Sequence, residues 1–241
     1  MQKVAVITGA SAGLGAEFAR QLQGLGYALL VVARREERLA AIEGERWVAD
    51  LSIEAEVERL ALHLESRGDV MMLINNAGFG TQGYLAEAAI AGQMAMHRLH
   101  VLATVRLTRA VLPQMIERKA GTIVNVSSVA GFARSANNVS YCATKAWTNA
   151  FSEGLWLELQ GTGVTVQALC PGFTYTEFHD VMGSDRAKHP KWMWLNAGFV
   201  VEESLANLGK LYVVPGWKYK VFLALWTKLP AWLRLRVEAR R

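Results

Sequence analysis

Residues 4–15 read Val4-Ala-Val-Ile-Thr-Gly-Ala-Ser-Ala-Gly-Leu-Gly15. The opening Val4-Ala-Val-Ile7 is apolar without alternation, the pattern of a strand buried on both faces of a parallel sheet. The turn after it spaces its glycines as Gly-x-x-x-Gly-x-Gly, and a helical stretch through Phe18, Leu22 and Leu25 follows. Glycines at such a turn let the chain reverse tightly and let backbone N–H groups approach a pyrophosphate at the helix N-terminus. An ordinary strand-to-helix turn has a similar composition. The position, after the first buried strand and opening a helix, favours a phosphate cradle. Gly9, Ser11, Ala12, Gly13, Leu14 and Gly15 are therefore candidate cofactor contacts.

The remaining chain repeats the same alternation. Apolar runs at 28–33, 70–74, 122–126, 164–169 and 211–214 read as strands, and Arg46-Trp47-Val48 as a weaker one. Helical periodicity fills 53–67, 90–118, 139–160 and 201–208. Strand and helix in strict alternation predict an α/β fold: a doubly wound parallel sheet of about seven strands, helices on both faces, joined by right-handed crossovers. No repeat or linker divides the 241 residues, so 1–241 reads as a single dinucleotide-binding and catalytic domain.

Composition narrows the class. With 52% hydrophobic and 20% charged residues the chain is globular rather than disordered. No apolar run reaches the roughly 18 residues of a membrane span, and the N-terminus does not read as a secretory signal. Cys142 and Cys170 match no disulfide or zinc spacing, which points to a reducing cytoplasm and no metal. The net charge of +5 owes much to a basic tail from Lys210 to Arg241, with no base-stacking or groove-reading motif beside it, so nucleic acid is not an expected partner.

The end of the second strand should meet the adenosine ribose. An NAD site places Asp or Glu there; this chain has Ala33-Arg34-Arg35. Two guanidiniums suit a 2′-phosphate, so NADP(H) is the expected cofactor, although both residues could simply begin a solvated helix. Asp50 and Leu51, after the third strand, are candidate adenine contacts; Asp50 as a helix cap would look the same. Tyr141-Cys-Ala-Thr-Lys145 places a phenol and an ammonium on one helix face. A phenol with its free pKa of about 10 becomes a usable proton donor and acceptor when a cation stabilises its anion. Upstream, Gly121-Thr-Ile-Val-Asn-Val-Ser-Ser128 is a strand ending in two serines, where an open α/β sheet presents groups to a ligand.

In this order the pieces resemble the short-chain dehydrogenase/reductase family, along nearly the whole chain: Thr8–Gly15, Asn75-Asn-Ala-Gly78, Ser128, Tyr141 with Lys145, and Pro171-Gly-Phe-Thr174. The resemblance implies a Rossmann-type sheet, Ser128 rather than Ser127 as the catalytic serine, and Tyr141 as acid/base. It implies Lys145 on the nicotinamide ribose, Asn76, Ala77 and Gly78 beside the cofactor, and Pro171, Gly172, Thr174 and Thr176 over the nicotinamide. The family commonly carries an asparagine in the helix after Asn75-Asn-Ala-Gly78, where its backbone holds a water for proton relay. Here that position is His100. Two readings stand: a residue that supports or carries the relay, or one packed in a helix interface.

The stretch from about 173 to 200 corresponds to the family's substrate lid. Phe173, Phe178, Met182, Trp192 and Trp194 suggest an apolar ketone, fatty-acyl, steroid-like or aromatic. The tail from about 215 to 241 is rich in Trp, Leu and cations and bears a weaker resemblance to 3-oxoacyl and hydroxysteroid reductases. It fits a cover over the pocket, a subunit contact, or peripheral attachment to an anionic membrane. The resemblance also implies a homodimer or homotetramer formed through the stretches 90–118 and 139–160. The leading expectation is a cytoplasmic NADPH-dependent ketone reductase acting on a small-molecule carbonyl/alcohol pair. A dinucleotide-binding sensor or scaffold that has lost catalysis is the alternative, with His100 its one supporting feature.

Overall fold

A computed structural model of the chain describes residues 3–178, 182–183 and 190–239. The strands are β1 (Val4–Thr8), β2 (Ala28–Ala33), β3 (Glu45–Val48), β4 (Val70–Asn75), β5 (Gly121–Val126), β6 (Val164–Leu169) and β7 (Tyr212–Val213). They form one sheet in the order β3-β2-β1-β4-β5-β6-β7, with every pairing parallel. The helices α1 (Gly13–Gly24), α2 (Glu36–Leu39), α3 (Glu54–Glu65), α4 (Ile90–His97), α5 (Thr104–Glu117) and α6 (Val139–Glu158) connect them, followed by α7 (Ala197–Leu205), α8 (Trp217–Trp226) and α9 (Ala231–Glu238). The expected Rossmann-type architecture is present.

The unalternating strands are explained by cover on both sides. One face packs Val4, Val6, Leu30, Leu73, Ile123 and Val166 against Leu60 and Leu64 of α3, Leu107 and Met115 of α5, and Leu155 of α6. The other packs Ala5, Ile7, Leu29, Val31, Ile74 and Leu169 against Phe18 and Leu22 of α1 and Val200 and Val201 of α7. Successive residues of a strand point to opposite faces, so both parities must be apolar when both faces are covered. β3 lies at the sheet margin with mostly exposed residues, which is why its apolar signal is weak.

Three boundaries differ from the sequence reading. The helix expected over 90–118 is interrupted by a π-helical turn at Arg98–Ala103, between α4 and α5. The helix expected over 201–208 starts earlier, at Ala197, because the Asn196 side chain accepts the Gly198 N–H at 2.8 Å and caps it. β7 is shorter than expected and pairs only with Ala168 and Leu169. The lid stretch is described at 173–178, 182–183 and 190–200, and the last tail cations, Arg240 and Arg241, lie outside the described residues.

The sheet order places the site. The chain runs outward from β1 to β3, then returns to β4 on the opposite side of β1. Where the winding reverses, a crevice opens beyond the C-terminal ends of the strands. Gly9 follows β1 there and Asn76 follows β4.

Candidate active site

Thr8 and Asn76 join the two sides of that crevice. The Thr8 hydroxyl accepts the backbone N–H groups of Asn76 and Ala77, each at 2.9 Å, and Asn76 Nδ2 donates to the Thr8 carbonyl at 2.8 Å. Asn75, one residue earlier, donates to Thr108 and to Asn125, which donates in turn to Ser152. Asn75-Asn-Ala-Gly78 thus binds the strand ends together. The turn after β1 also needs its glycines. Gly9 has φ +68°, and a Cβ on it would lie 2.9 Å from the Ala77 Cα. A Cβ on Gly15 would collide with the Gly9 carbonyl, so Gly15 serves the turn's packing and does not face the crevice.

The crevice is one cavity of about 860 Å³ running from the β2 end to the lid. At the β2 end Arg35 donates from Nη2 and Nε to the Ser11 hydroxyl, at 3.1 and 3.3 Å. Arg34 turns toward Asp50, with 3.6 Å between the charged groups. Asp50 accepts from the backbone and hydroxyl of Ser52 at 2.9 and 2.7 Å, a local turn rather than a cap on α3, whose N-cap is Ile53. Asp50 and Leu51 both line the cavity.

At the other end, Ser128, Tyr141 and Lys145 face the same space. The strand-end serines divide their work. Ser127 is turned away, donating to the Lys145 carbonyl at 3.0 Å and Asn149 Oδ1 at 2.6 Å, which fastens β5 to α6. Ser128 caps the short 3₁₀ turn Val129–Phe132 by accepting the Ala130 N–H at 3.1 Å, and its hydroxyl reaches the Tyr141 phenol. Burial pushes that phenol above its ordinary value, against the downward pull of the Ser128 hydrogen bond. Burial pulls the Lys145 ammonium down to about 8; its Nζ donates to the Val126 carbonyl at 2.8 Å and lies 5.7 Å from the centre of the Tyr141 ring. The pair can therefore hold and release a proton inside a cavity that also contains the glycine turn after β1.

The family profile described as short chain dehydrogenase matches residues 3–187. The chain belongs to that family. It is an oxidoreductase of the short-chain dehydrogenase type, 37% identical over 72% of its length to a putative ketoacyl reductase of Streptomyces coelicolor, of which it covers 71%. Among solved structures it is similar to a short-chain dehydrogenase from Sphingobium yanoikuyae in complex with NADPH, at 30% identity and TM-score 0.85, covering 95% of this chain and 97% of that one. A short-chain dehydrogenase/reductase from Burkholderia phymatum in complex with NAD is 28% identical at TM-score 0.79, covering 94% and 92%.

In this short-chain dehydrogenase His100 lies in the π turn, buried and outside the cavity lining. Its Nε2 accepts the Phe79 N–H at 3.2 Å, so the remaining proton of a neutral ring sits on Nδ1 and is donated to the Thr144 hydroxyl at 3.0 Å. That hydroxyl donates to the Tyr141 carbonyl at 2.9 Å. Burial, with Lys145 and His97 nearby, pulls the His100 pKa well below its ordinary value, so the ring stays neutral as this network demands. Both nitrogens are engaged, and the side chain would have to release a bond before it could move a proton. The packed reading fits the side chain.

The lid residues divide. Phe178 sits 5.6 Å, ring to ring, from Tyr141, and Phe178 with Met182 packs over Gly80. Phe173, Phe178, Met182 and Trp192 line the cavity, as do Pro171, Gly172, Thr174, Thr176 and Gly78. Trp194 does not: it is buried between Tyr175, at 5.1 Å, and Phe173, at 5.5 Å, in the packing of the lid itself. The tail supplies a wall that the sequence reading did not assign to particular residues. Lys218, Tyr219 and Phe222 of α8 line the cavity. The Tyr219 hydroxyl accepts the Phe173 N–H at 3.0 Å and donates to the Met193 carbonyl at 2.7 Å, hanging the lid from the tail. Spacing gives no signal for such a pair, because the partners are 46 and 26 residues apart. Among the described residues no helix is long and apolar enough to cross a membrane.

Proposed function

We propose that the protein is an NADP(H)-dependent ketone reductase in which Tyr141 donates the proton. The convergence of Ser128, Tyr141 and Lys145 on the cavity that holds the Gly9–Leu14 turn carries this reading. The turn fits a dinucleotide: backbone at Gly9 and Gly13 lies in the positive-φ region, with φ +68° and +55°, open to close approach by a pyrophosphate. Arg35, which donates to Ser11 at the β2 end of the cavity, supports a 2′-phosphate on the adenosine ribose. When bound, the dinucleotide supplies the hydride and accepts it back.

The chain's own residues do the rest. Ser128 holds the substrate oxygen beside the phenol. Tyr141, buried and held protonated, gives its proton to the developing alkoxide. Lys145, placed beside the ring, stabilises the phenolate left behind. Phe173, Phe178, Met182 and Trp192 with Phe222 give the substrate end an apolar surface, which supports an acyl, steroid-like or aromatic ketone over a small polar one. Exposed apolar side chains on α6 and the π turn, Trp156, Leu157 and Leu102, support association between copies.

The test follows the loss of the reduced nicotinamide's absorbance with NADPH and with NADH, against ketones from small polar to long-chain and polycyclic. Turnover with NADPH and a bulky ketone that disappears in Tyr141→Phe is expected. Dinucleotide binding without turnover on any ketone would favour a sensor in place of an enzyme.

A further inference from the structure

Thr176 and Glu177 lie where the lid crosses the cofactor end of the cavity. A Cβ on Gly13 would sit 3.1 Å from the Thr176 side chain, so the lid rests directly on the phosphate turn. One residue on, Glu177 reaches the guanidiniums beyond β2. Its Oε2 accepts from Arg35 Nη1 at 3.1 Å and its Oε1 from Arg38 Nη1 at 2.6 Å. Arg35 is thus shared between Ser11 and Glu177. A carboxylate held by two guanidiniums offers the same acceptor pattern as a phosphate monoester, and a charged donor satisfied by one anion is not free for another. The two ion pairs keep the Glu177 carboxyl below its ordinary range, so it is an anion at neutral pH. All three side chains are 40–45% exposed, so the pairs are weak enough to exchange.

We propose that Glu177 sets the discrimination between the two nicotinamide dinucleotides by standing, as an internal anion, on the guanidiniums that a 2′-phosphate must take over. The proposal rests on the reading that Arg35 faces the adenosine ribose. NADP(H) then displaces the carboxylate from Arg35 and loosens the lid's hold on the adenosine end. NAD(H), with a bare 2′-hydroxyl, leaves the latch in place.

Calorimetric titration of the whole protein with NADPH, NADH and 2′,5′-ADP tests this in wild type, Glu177→Gln and Arg35→Ala. Glu177→Gln should tighten NADPH and 2′,5′-ADP by about three- to ten-fold at low salt, less as salt rises, and leave NADH within about two-fold. An equal change for both dinucleotides would mean that Glu177 only anchors the lid, and overturns the proposal. So does an unchanged NADPH affinity in Glu177→Gln when Arg35→Ala weakens NADPH and spares NADH. If Arg35→Ala affects the two dinucleotides alike, the 2′-phosphate reading falls and this proposal falls with it.

Discussion

Lys145→Met removes a buried ammonium that the proposed reaction uses and the fold tolerates poorly. Burial lowers this lysine from 10.5 to about 8, so at neutral pH the folded protein keeps a proton that its surroundings oppose by about 3 kcal/mol. Methionine has similar volume and no charge, so that cost disappears. Against it stands the lost Nζ bond to the Val126 carbonyl, which leaves a buried acceptor unpaired at about 1–2 kcal/mol. The variant should therefore lack turnover and be more stable than wild type by about 1–2 kcal/mol near neutrality. The pH dependence fixes the cause. Between about 8 and 10.5 the native lysine has released its proton and the unfolded one has not, so wild-type stability rises with pH across that window. The variant's advantage should shrink there and end slightly negative. Urea unfolding at fixed protein concentration, near neutral pH and again at the top of the window, measures both. A variant less stable than wild type by the same margin at both pH values would refute the argument that the ammonium is held at a cost.

Five further outcomes are expected. Tyr141→Phe should lower kcat by about 10²- to 10⁴-fold while dinucleotide affinity, measured by titration, changes little. His100→Leu leaves the Phe79 N–H without its acceptor and removes the bond the Thr144 hydroxyl accepts, and thermal or urea melts should show a loss of about 1–3 kcal/mol. Because the folded His100 pKa lies below its unfolded value of 6.5, its contribution is present above that value and lost as pH falls through it; His100→Gln should flatten the stability profile there. Gly9→Ala puts a Cβ at φ +68° and 2.9 Å from the Ala77 Cα, so it should destabilise by about 1–3 kcal/mol and weaken dinucleotide binding, read from melts and titration. Tyr219→Phe keeps the ring and removes the hydroxyl that holds the lid, and steady-state kinetics should show KM rising several-fold with kcat largely kept.

The sheet was legible because its strands are covered on both faces, and that requires the unbroken apolar runs 4–7, 28–33 and 70–74 of β1, β2 and β4. The cofactor turn and the Tyr141–Lys145 pair were legible because one lies in a continuous loop and the other on one helix face. What escaped depended on partners distant in the chain. The two serines at the end of β5 are equivalent by position and local propensity, so the choice of Ser128 came from the family resemblance alone; the packing of α6 is what turns Ser127 inward and leaves Ser128 to the cavity. The π turn at Arg98–Ala103 could not be read from periodicity, because one wider turn leaves the apolar spacing on either side almost unchanged. Trp192 and Trp194 carry the same composition signal, yet the ring stacking with Tyr175 takes Trp194 out of the cavity.

Residues 172–178 tie these observations together. A side chain on Gly172 would collide with the Tyr219 ring, so the tail lies directly on the start of this segment. Phe173 hangs from Tyr219, Thr176 rests on Gly13, Glu177 holds Arg35, and Phe178 covers Tyr141. One short stretch therefore meets the tail, the glycine turn after β1, Arg35 and Tyr141. A ligand on the Gly9–Leu14 turn would meet Thr176 and Glu177, and these are continuous in the chain with Phe178 beside Tyr141. A dinucleotide that changes the ketone's affinity through this segment must, by thermodynamic reciprocity, have its own affinity changed by the ketone by the same factor. The tail belongs to the same unit: α8 turns Tyr219, Leu223 and Trp226 toward the protein, and the Tyr219 hydroxyl ties it to Phe173 and Met193.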